Sequence, residues 1–238
     1  MAHSNPAKSN NCENRILAAL ENGEYEHLSP YLRKVVLETG SILYRPEQKI
    51  EYIYFPTSGM VSLLAELQDG ESVEAGVVGN EGVAGITVVL GVDVASSEAL
   101  VQVKGEALQM KADALRPLIK NGGRFHDLLL RYTHTIFTQV AQTAACNSAH
   151  SLDERLARWL LLTHDRVGLN EFDMTHEFLA RMLGTRRAGV SVAAGALRDM
   201  GIIDYTRGHV TIIDRKGLEN ASCECYQVVQ NEFNRVLG

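Results

Sequence analysis

Two arginines stand side by side at 186 and 187, at the start of a run whose apolar residues Val190, Ala194 and Leu197 recur at helical spacing. A cation in the first turn of a helix meets the positive end of the helix dipole, at a cost of about 0.3–1 kcal/mol. An external anion would offset that cost, and Arg matches both phosphate and the guanine edge bidentately. The chemistry these residues suggest is therefore recognition of nucleic acid, not bond-making. Ser191 shares their edge of the helix. Arg207 sits at the tip of Thr206-Arg207-Gly208-His209, between the runs Ile202–Tyr205 and Val210–Ile213, which reads as a hairpin with a cation placed for the DNA backbone.

The elements that must hold these residues are legible nearby. Thr175 is a good N-cap ahead of Phe178, Leu179, Met182 and Leu183. Gly184 follows where that helix should stop and turn, and Thr185 offers a second N-cap. Ala193 and Ala194 let a neighbouring helix approach closely. From Thr175 to Asp214 the chain thus predicts helix, tight turn, helix and two-stranded wing, with the second helix suited to the major groove. The expected DNA-binding residues are Thr175, Thr185, Arg186, Arg187, Ser191, Arg207 and His209.

Metal and thiol chemistry has weaker support. Cys12, Cys146, Cys223 and Cys225 lack the grouping of a zinc or iron–sulfur motif, and Cys223-Glu224-Cys225 is too tight for an ordinary disulfide. Free thiols in a reducing cytoplasm are expected, with no metal site and no cofactor. Residues 28–125 contain neither His nor Cys, which argues against a metal-dependent β-barrel enzyme. No catalytic residue is assigned.

The net charge of −6 is unusual for a DNA binder, yet residues 174–216 carry seven Lys/Arg against four Asp/Glu. The positive field is local to the segment that would meet DNA. No apolar run approaches a membrane span. Residues 1–14 are polar, lack an apolar signal region and read as a disordered arm of a cytoplasmic protein.

Upstream, residues 15–38 look helical, with Ile16, Leu17, Leu20, Leu32, Val35 and Val36 as apolar positions. From Ser41 to Leu108 short β-like runs alternate with turns, Asp69-Gly70 being a strong hairpin signal. Residues 112–120 predict a short helix. Arg124 to Asn147 predicts a long one, whose stripe Phe125, Leu129, Tyr132, Ile136, Val140 and Ala144 suits a dimer seam, with Leu128 and Phe137 to one side facing the β domain. Asn147–His150 reads as a hinge. Ser151 and Glu154 make a capping box for a helix over 152–166, with Trp159 in its core. Val167–Asp173 reads as a loop, Asp214 caps a short helix, and residues 226–236 add an amphipathic turn or two. The fold class is α+β: an N-terminal β-roll or jelly-roll sensor domain (15–122), a long dimerisation helix and hinge (123–148), and a C-terminal winged helix-turn-helix domain (149–238).

This order resembles the Crp/Fnr superfamily of bacterial transcription regulators, most strongly in SLDERLARWLL at 151–161 and in the segment from Thr175 to Tyr205. Gly40-Ser41, Leu43-Tyr44 and Asp69-Gly70 resemble its sensor roll. The resemblance implies a homodimer that binds a two-fold promoter site and contacts RNA polymerase. Its effector pocket would fall at Gly85, Ile86, Ser96 and Ser97. Ile86 stands where cyclic-nucleotide-binding members have a ribose-binding Glu, and Ser96 where they have the phosphate-binding Arg. Glu98 nearby would repel a phosphate, so cyclic AMP is not the expected effector. The N-terminal cysteine cluster of the iron–sulfur branch is absent. In the recognition helix Arg187 matches the first family Arg, while Ala188 and Val192 replace the Glu and second Arg. A rival reading follows: a relative that acts through protein contacts without specific DNA binding.

Overall fold

The computed structural model describes residues 12–68 and 70–237. Two small helices open it, α1 (Arg15–Ala18) and α2 (Asn22–Leu28), the first capped by Asn14 and the second by a Glu21/Glu24 capping box. Asn14, expected in a disordered arm, is fully buried. Its Nδ2 donates to the carbonyls of Pro56 and Gly82 (2.9 Å each), so it fastens the start of the chain to the roll. Residues 1–11 lie outside the described residues.

Helix does not run on to residue 38. Leu32 ends a single 3-10 turn, and Val35 and Val36 lie in strand β1 (Arg33–Leu37). Pro30 and the β-branched pair explain the change, since both favour extended backbone here over a continuing helix. The roll follows as β2 (Ile42–Tyr44), β3 (Tyr52–Pro56), β4 (Met60–Glu66), β5 (Ser72–Val78), β6 (Glu98–Val103) and β7 (Gly105–Lys111). They form two antiparallel sheets, β1-β7-β3 and β2-β6-β4-β5. Strands β4 and β5 pair as a hairpin, with Gly70 in the left-handed region at φ +81°. The other half of the predicted turn, Asp69, lies outside the described residues.

Helix α3 (Ala112–Ile119) leads into α4 (Arg124–Ala149), and α5 (Leu152–Val167) begins at the Ser151/Glu154 capping box and stops at Gly168. Strand β8 (Glu171–Asp173) lies within the segment expected to be a loop, because it pairs with the wing. Then come α6 (His176–Met182), α7 (Arg187–Asp199), β9 (Ile203–Thr206), β10 (His209–Ile212), α8 (Arg215–Ala221) and α9 (Cys225–Leu237). The wing is therefore a three-stranded sheet, β8-β10-β9.

Helix α4 holds the two halves together, and its faces differ from expectation. Phe125, Leu129, Tyr132 and Ile136 are buried within the protomer. Phe125 meets Phe55 of β3, and Tyr132 meets Phe233 of α9. A side chain at Gly82 would collide with the Tyr132 ring, so that close approach requires glycine. Val77 N–H of β5 donates to Gln139 Oε1 (2.6 Å) on the same face. Most of the stripe expected to form a dimer seam is thus used up by the chain's own roll and last helix, with only Val140 and Ala144 of the named set exposed. Leu128 is buried as expected, but Phe137 is 73% exposed.

A single apolar core runs through both halves. Buried polar bonds join them across α5. Trp159 Nε1 donates to Glu74 Oε1 (3.0 Å), and the Arg166 guanidinium lies 2.7 Å from Glu81. Among the described residues no helix is long and apolar enough to cross a membrane.

Candidate DNA-reading surface

Thr175 caps α6 by accepting from Phe178 N–H (3.2 Å), and Gly184 turns the chain at φ +57°. Its Cα faces Val73 of β5, so the turn is pressed against the roll. Thr185 does not cap α7 as expected. That position falls to Arg186, which makes no side-chain capping bond, while Thr185 N–H is bonded back to the Ala180 carbonyl (2.9 Å). The first amides of α7 are consequently left without a side-chain cap, at the end of the helix that favours anions.

Val190, Ala193, Ala194 and Leu197 turn α7 inward onto the domain core. The outward face carries Arg187, Ala188, Ser191 and Val192, with Arg186 at its edge. Arg186, Arg187 and Arg207 make no side-chain hydrogen bond or ion pair with any described residue. Arg207 projects from a two-residue turn in which it and Gly208 both have positive φ (53° and 85°), the geometry that suits a hairpin's twist.

Two residues that sequence reasoning passed over set this surface. The His176 ring stacks on Tyr205 of the wing (centroids 4.1 Å apart), and its Nδ1 meets Ser191 Oγ of α7 (2.9 Å). Tyr205 Oη donates to the Met174 carbonyl (2.6 Å). One imidazole therefore ties α6, α7 and the wing together. Burial, then the nearby Arg187 charge, holds its pKa below the usual histidine range, so it is neutral near pH 7. Only an aromatic facing a histidine across the fold could have signalled this, and sequence does not show facing pairs.

The remaining expected contacts differ in availability. Ser191 Oγ is engaged with His176 and with the Arg187 carbonyl (3.1 Å). His209 bonds Asp173 (2.9 Å) and lies 3.5 Å from Glu171, and the hydrogen bond to Asp173 leads in raising its pKa. It braces β10 against β8 with those acidic neighbours, a poor setting for meeting phosphate.

The expected effector position is closely packed at Gly85 but open at Ser96. Gly85 (φ +91°) has Ile50 and Ile53 against its Cα, and its N–H donates to Tyr44 Oη (3.1 Å). Burial pushes the Tyr44 hydroxyl up to about 12, so it stays neutral. Ile86 is buried at the head of a 3-10 turn, Ser97 is half-buried and Ser96 is exposed. Glu98 does not stand as a free charge: Arg45 (4.0 Å) and Arg181 (3.5 Å) flank it. Arg181 also donates to Ser72 Oγ (2.5 Å), so α6 is held directly by the roll. A cleft of about 660 Å³ separates the β4–β5 hairpin from Phe178, Arg186 and Arg187.

The cysteines behave unlike their spacing. Cys146, Cys223 and Cys225 converge with His150, their ligand atoms all within 4.8 Å of one another. The end of α4 and the link from α8 to α9 meet there, and 77 residues of chain separate Cys146 from Cys223.

A model for the cyclic nucleotide-binding domain matches residues 34–121, and one for the Crp-like helix-turn-helix domain matches residues 154–221. No curated protein matches the chain in sequence. Among solved structures the fold is similar to a Crp/Fnr-family transcriptional regulator from Eubacterium rectale, at TM-score 0.68 and 19% identity over 85% of this chain and 94% of that one. FixK2 from Bradyrhizobium japonicum gives TM-score 0.68 and 18% identity, covering 81% and 98%. The c-di-GMP-responsive regulator CLP of Xanthomonas campestris gives 0.66 and 16%, covering 81% and 99%.

Proposed function

We propose that this chain, which belongs to the Crp/Fnr superfamily of transcription regulators, works in the cytoplasm as a homodimer on a two-fold promoter site and does not answer to cyclic AMP. The observation that carries the DNA reading is the trio of exposed, unpaired cations, two at the start of α7 and one at the wing tip. Unpaired cations on one face suit an outside polyanion, and Arg186 and Arg187 favour a guanine-containing half-site. Contact with RNA polymerase follows from the same family reading.

The dimer reading now rests on another face of α4. Leu130, Phe137 and Ala144 are exposed seven residues apart, with His134 and Ala141 between them. That row has heptad spacing, although His134 within it also bonds Glu232 of α9 (2.7 Å), and the small alanines allow close helix approach. Phe137→Glu should convert dimer to monomer in sedimentation and lower affinity for a two-fold site by at least about tenfold, since buried like charges across a seam are costly.

Independence from cyclic AMP rests on three features: Ile86 and Ser96 in place of the Glu and Arg, the packed setting of Gly85, and Tyr44 bonded to its amide. Fluorescence anisotropy against DNA from the chain's own upstream region, with random duplex as competitor and no added ligand, tests the whole reading. Tight, competitor-resistant binding at two protomers per site is the expected result. Binding indifferent to sequence, with and without cyclic AMP, would favour the rival that acts through protein contacts.

A further inference from the structure

Cys146 lies in the last turn of α4, His150 immediately before the cap of α5, and Cys223 and Cys225 around the start of α9. Cys146 Sγ and Cys223 Sγ are 3.5 Å apart, and Cys225 Sγ is 3.5 Å from His150 Nδ1. Around a tetrahedral zinc ion with the usual bond lengths, sulfur–sulfur edges are about 3.8 Å and sulfur–nitrogen edges about 3.6 Å. The group already has that size. A polynuclear iron–sulfur cluster needs its ligands spread around a body of several atoms, and atoms within 4.8 Å of one another leave no room for one.

The surroundings complete the case. The other ring nitrogen of His150, Nε2, is 3.2 Å from Glu224 Oε2, the carboxylate–histidine relay that turns the free nitrogen toward a metal. Gln142 Nε2 donates to Cys225 Sγ (3.0 Å), as a hydrogen bond to a thiolate would require. The three thiols form a buried cluster separate from the main apolar core. Beside them, the buried Arg158 guanidinium has Nε and Nη1 without hydrogen-bond partners among the described residues. Three thiolates, one neutral imidazole and Zn²⁺ carry a net charge of about −1, which supplies that arginine with the counter-charge its position calls for.

We propose that Cys146, His150, Cys223 and Cys225 form a Cys₃His zinc site that staples the α4–α5 joint to the base of α9. Binding takes up one Zn²⁺ and releases the protons of the thiols that become thiolates, with no change of oxidation state. The ion joins segments on either side of the winged domain, so its loading fixes how that domain is seated on α4.

Metal analysis of the full-length protein, purified without chelator, tests this. One zinc per chain is expected, with Cys223→Ser and His150→Ala each losing it and Cys12→Ser keeping it. Cobalt replacement in the native chain gives a second readout that does not depend on the folding of the variants: an intense tetrahedral cobalt–thiolate spectrum that zinc displaces. Chelation should also lower the Tm of the native protein. Iron with acid-labile sulfide, a Cys146–Cys223 disulfide in place of metal, or a metal-free protein with no cobalt–thiolate spectrum would each overturn the proposal.

Discussion

Arginine serves two opposite ends in the C-terminal domain. Arg166 lies at the boundary with the roll, its side chain 4% exposed, with Nε and Nη2 on Glu81 and Nη1 on the Leu162 carbonyl. Arg186, Arg187 and Arg207 lie on the far surface, exposed and without a partner among the described residues. The first setting joins two domains, and its charge is satisfied at home. The second leaves charge unspent, which is what binding an outside anion requires. Exposure and partnering, not residue type, separate the joint from the proposed reading head.

Breaking the joint should have the largest effect. Glu81→Ala leaves a buried guanidinium unpaired and should cost about 3–5 kcal/mol in denaturant unfolding, whereas replacing both partners with apolar residues should restore most of it. A loss below about 1 kcal/mol would place Arg166 with the surface arginines.

Glu74 gives the joint a pH dependence. Burial pushes its carboxyl from 4.5 up to about 7, against the opposing pull of Ser62, Arg158 and Trp159. The folded state therefore holds this proton more tightly than the unfolded chain. Its contribution is full below pH 4.5 and falls away as pH rises to about 7. Unfolding across that range should show wild type losing about 2–4 kcal/mol relative to Glu74→Gln, which does not titrate. Parallel pH curves for the two proteins would remove Glu74 from this role.

At the proposed reading head the expectation reverses, with binding changed and stability kept. Arg187→Ala should weaken specific DNA binding by about 1–3 kcal/mol in anisotropy. Its unfolding free energy should move by less than about 0.5 kcal/mol. An unchanged affinity at several salt concentrations would mean that α7 does not enter the groove. Arg207→Ala should have the smallest effect, weakening all sequences alike and reducing the salt slope by about 1, as loss of one phosphate contact does.

Much of this was readable in order along the chain. The helix-turn-helix, the Ser151 capping box, the Asp214 cap and the hairpin with Arg207 at its tip all depend on residues within a few positions of one another. So did the predominance of strands between Ser41 and Leu108. Local steric and hydrogen-bonding rules act at that range, and sequence displays it directly. The burial of a stripe on α4 was legible too, but not what covers it. Phe125 and Tyr132 meet Phe55 and Phe233, from opposite ends of the chain, leaving Leu130 and Phe137 outside. Val167–Asp173 gave no strand signal because its pairing partner, β10, comes more than thirty residues later. The same holds for His176 on Tyr205, Arg166 on Glu81, and the thiols gathered with His150. Sequence fixes which groups exist and their local geometry; only the packing of distant segments decides which of them face each other, and through that which charges are paired, which face is free, and where three cysteines and a histidine can share one ion.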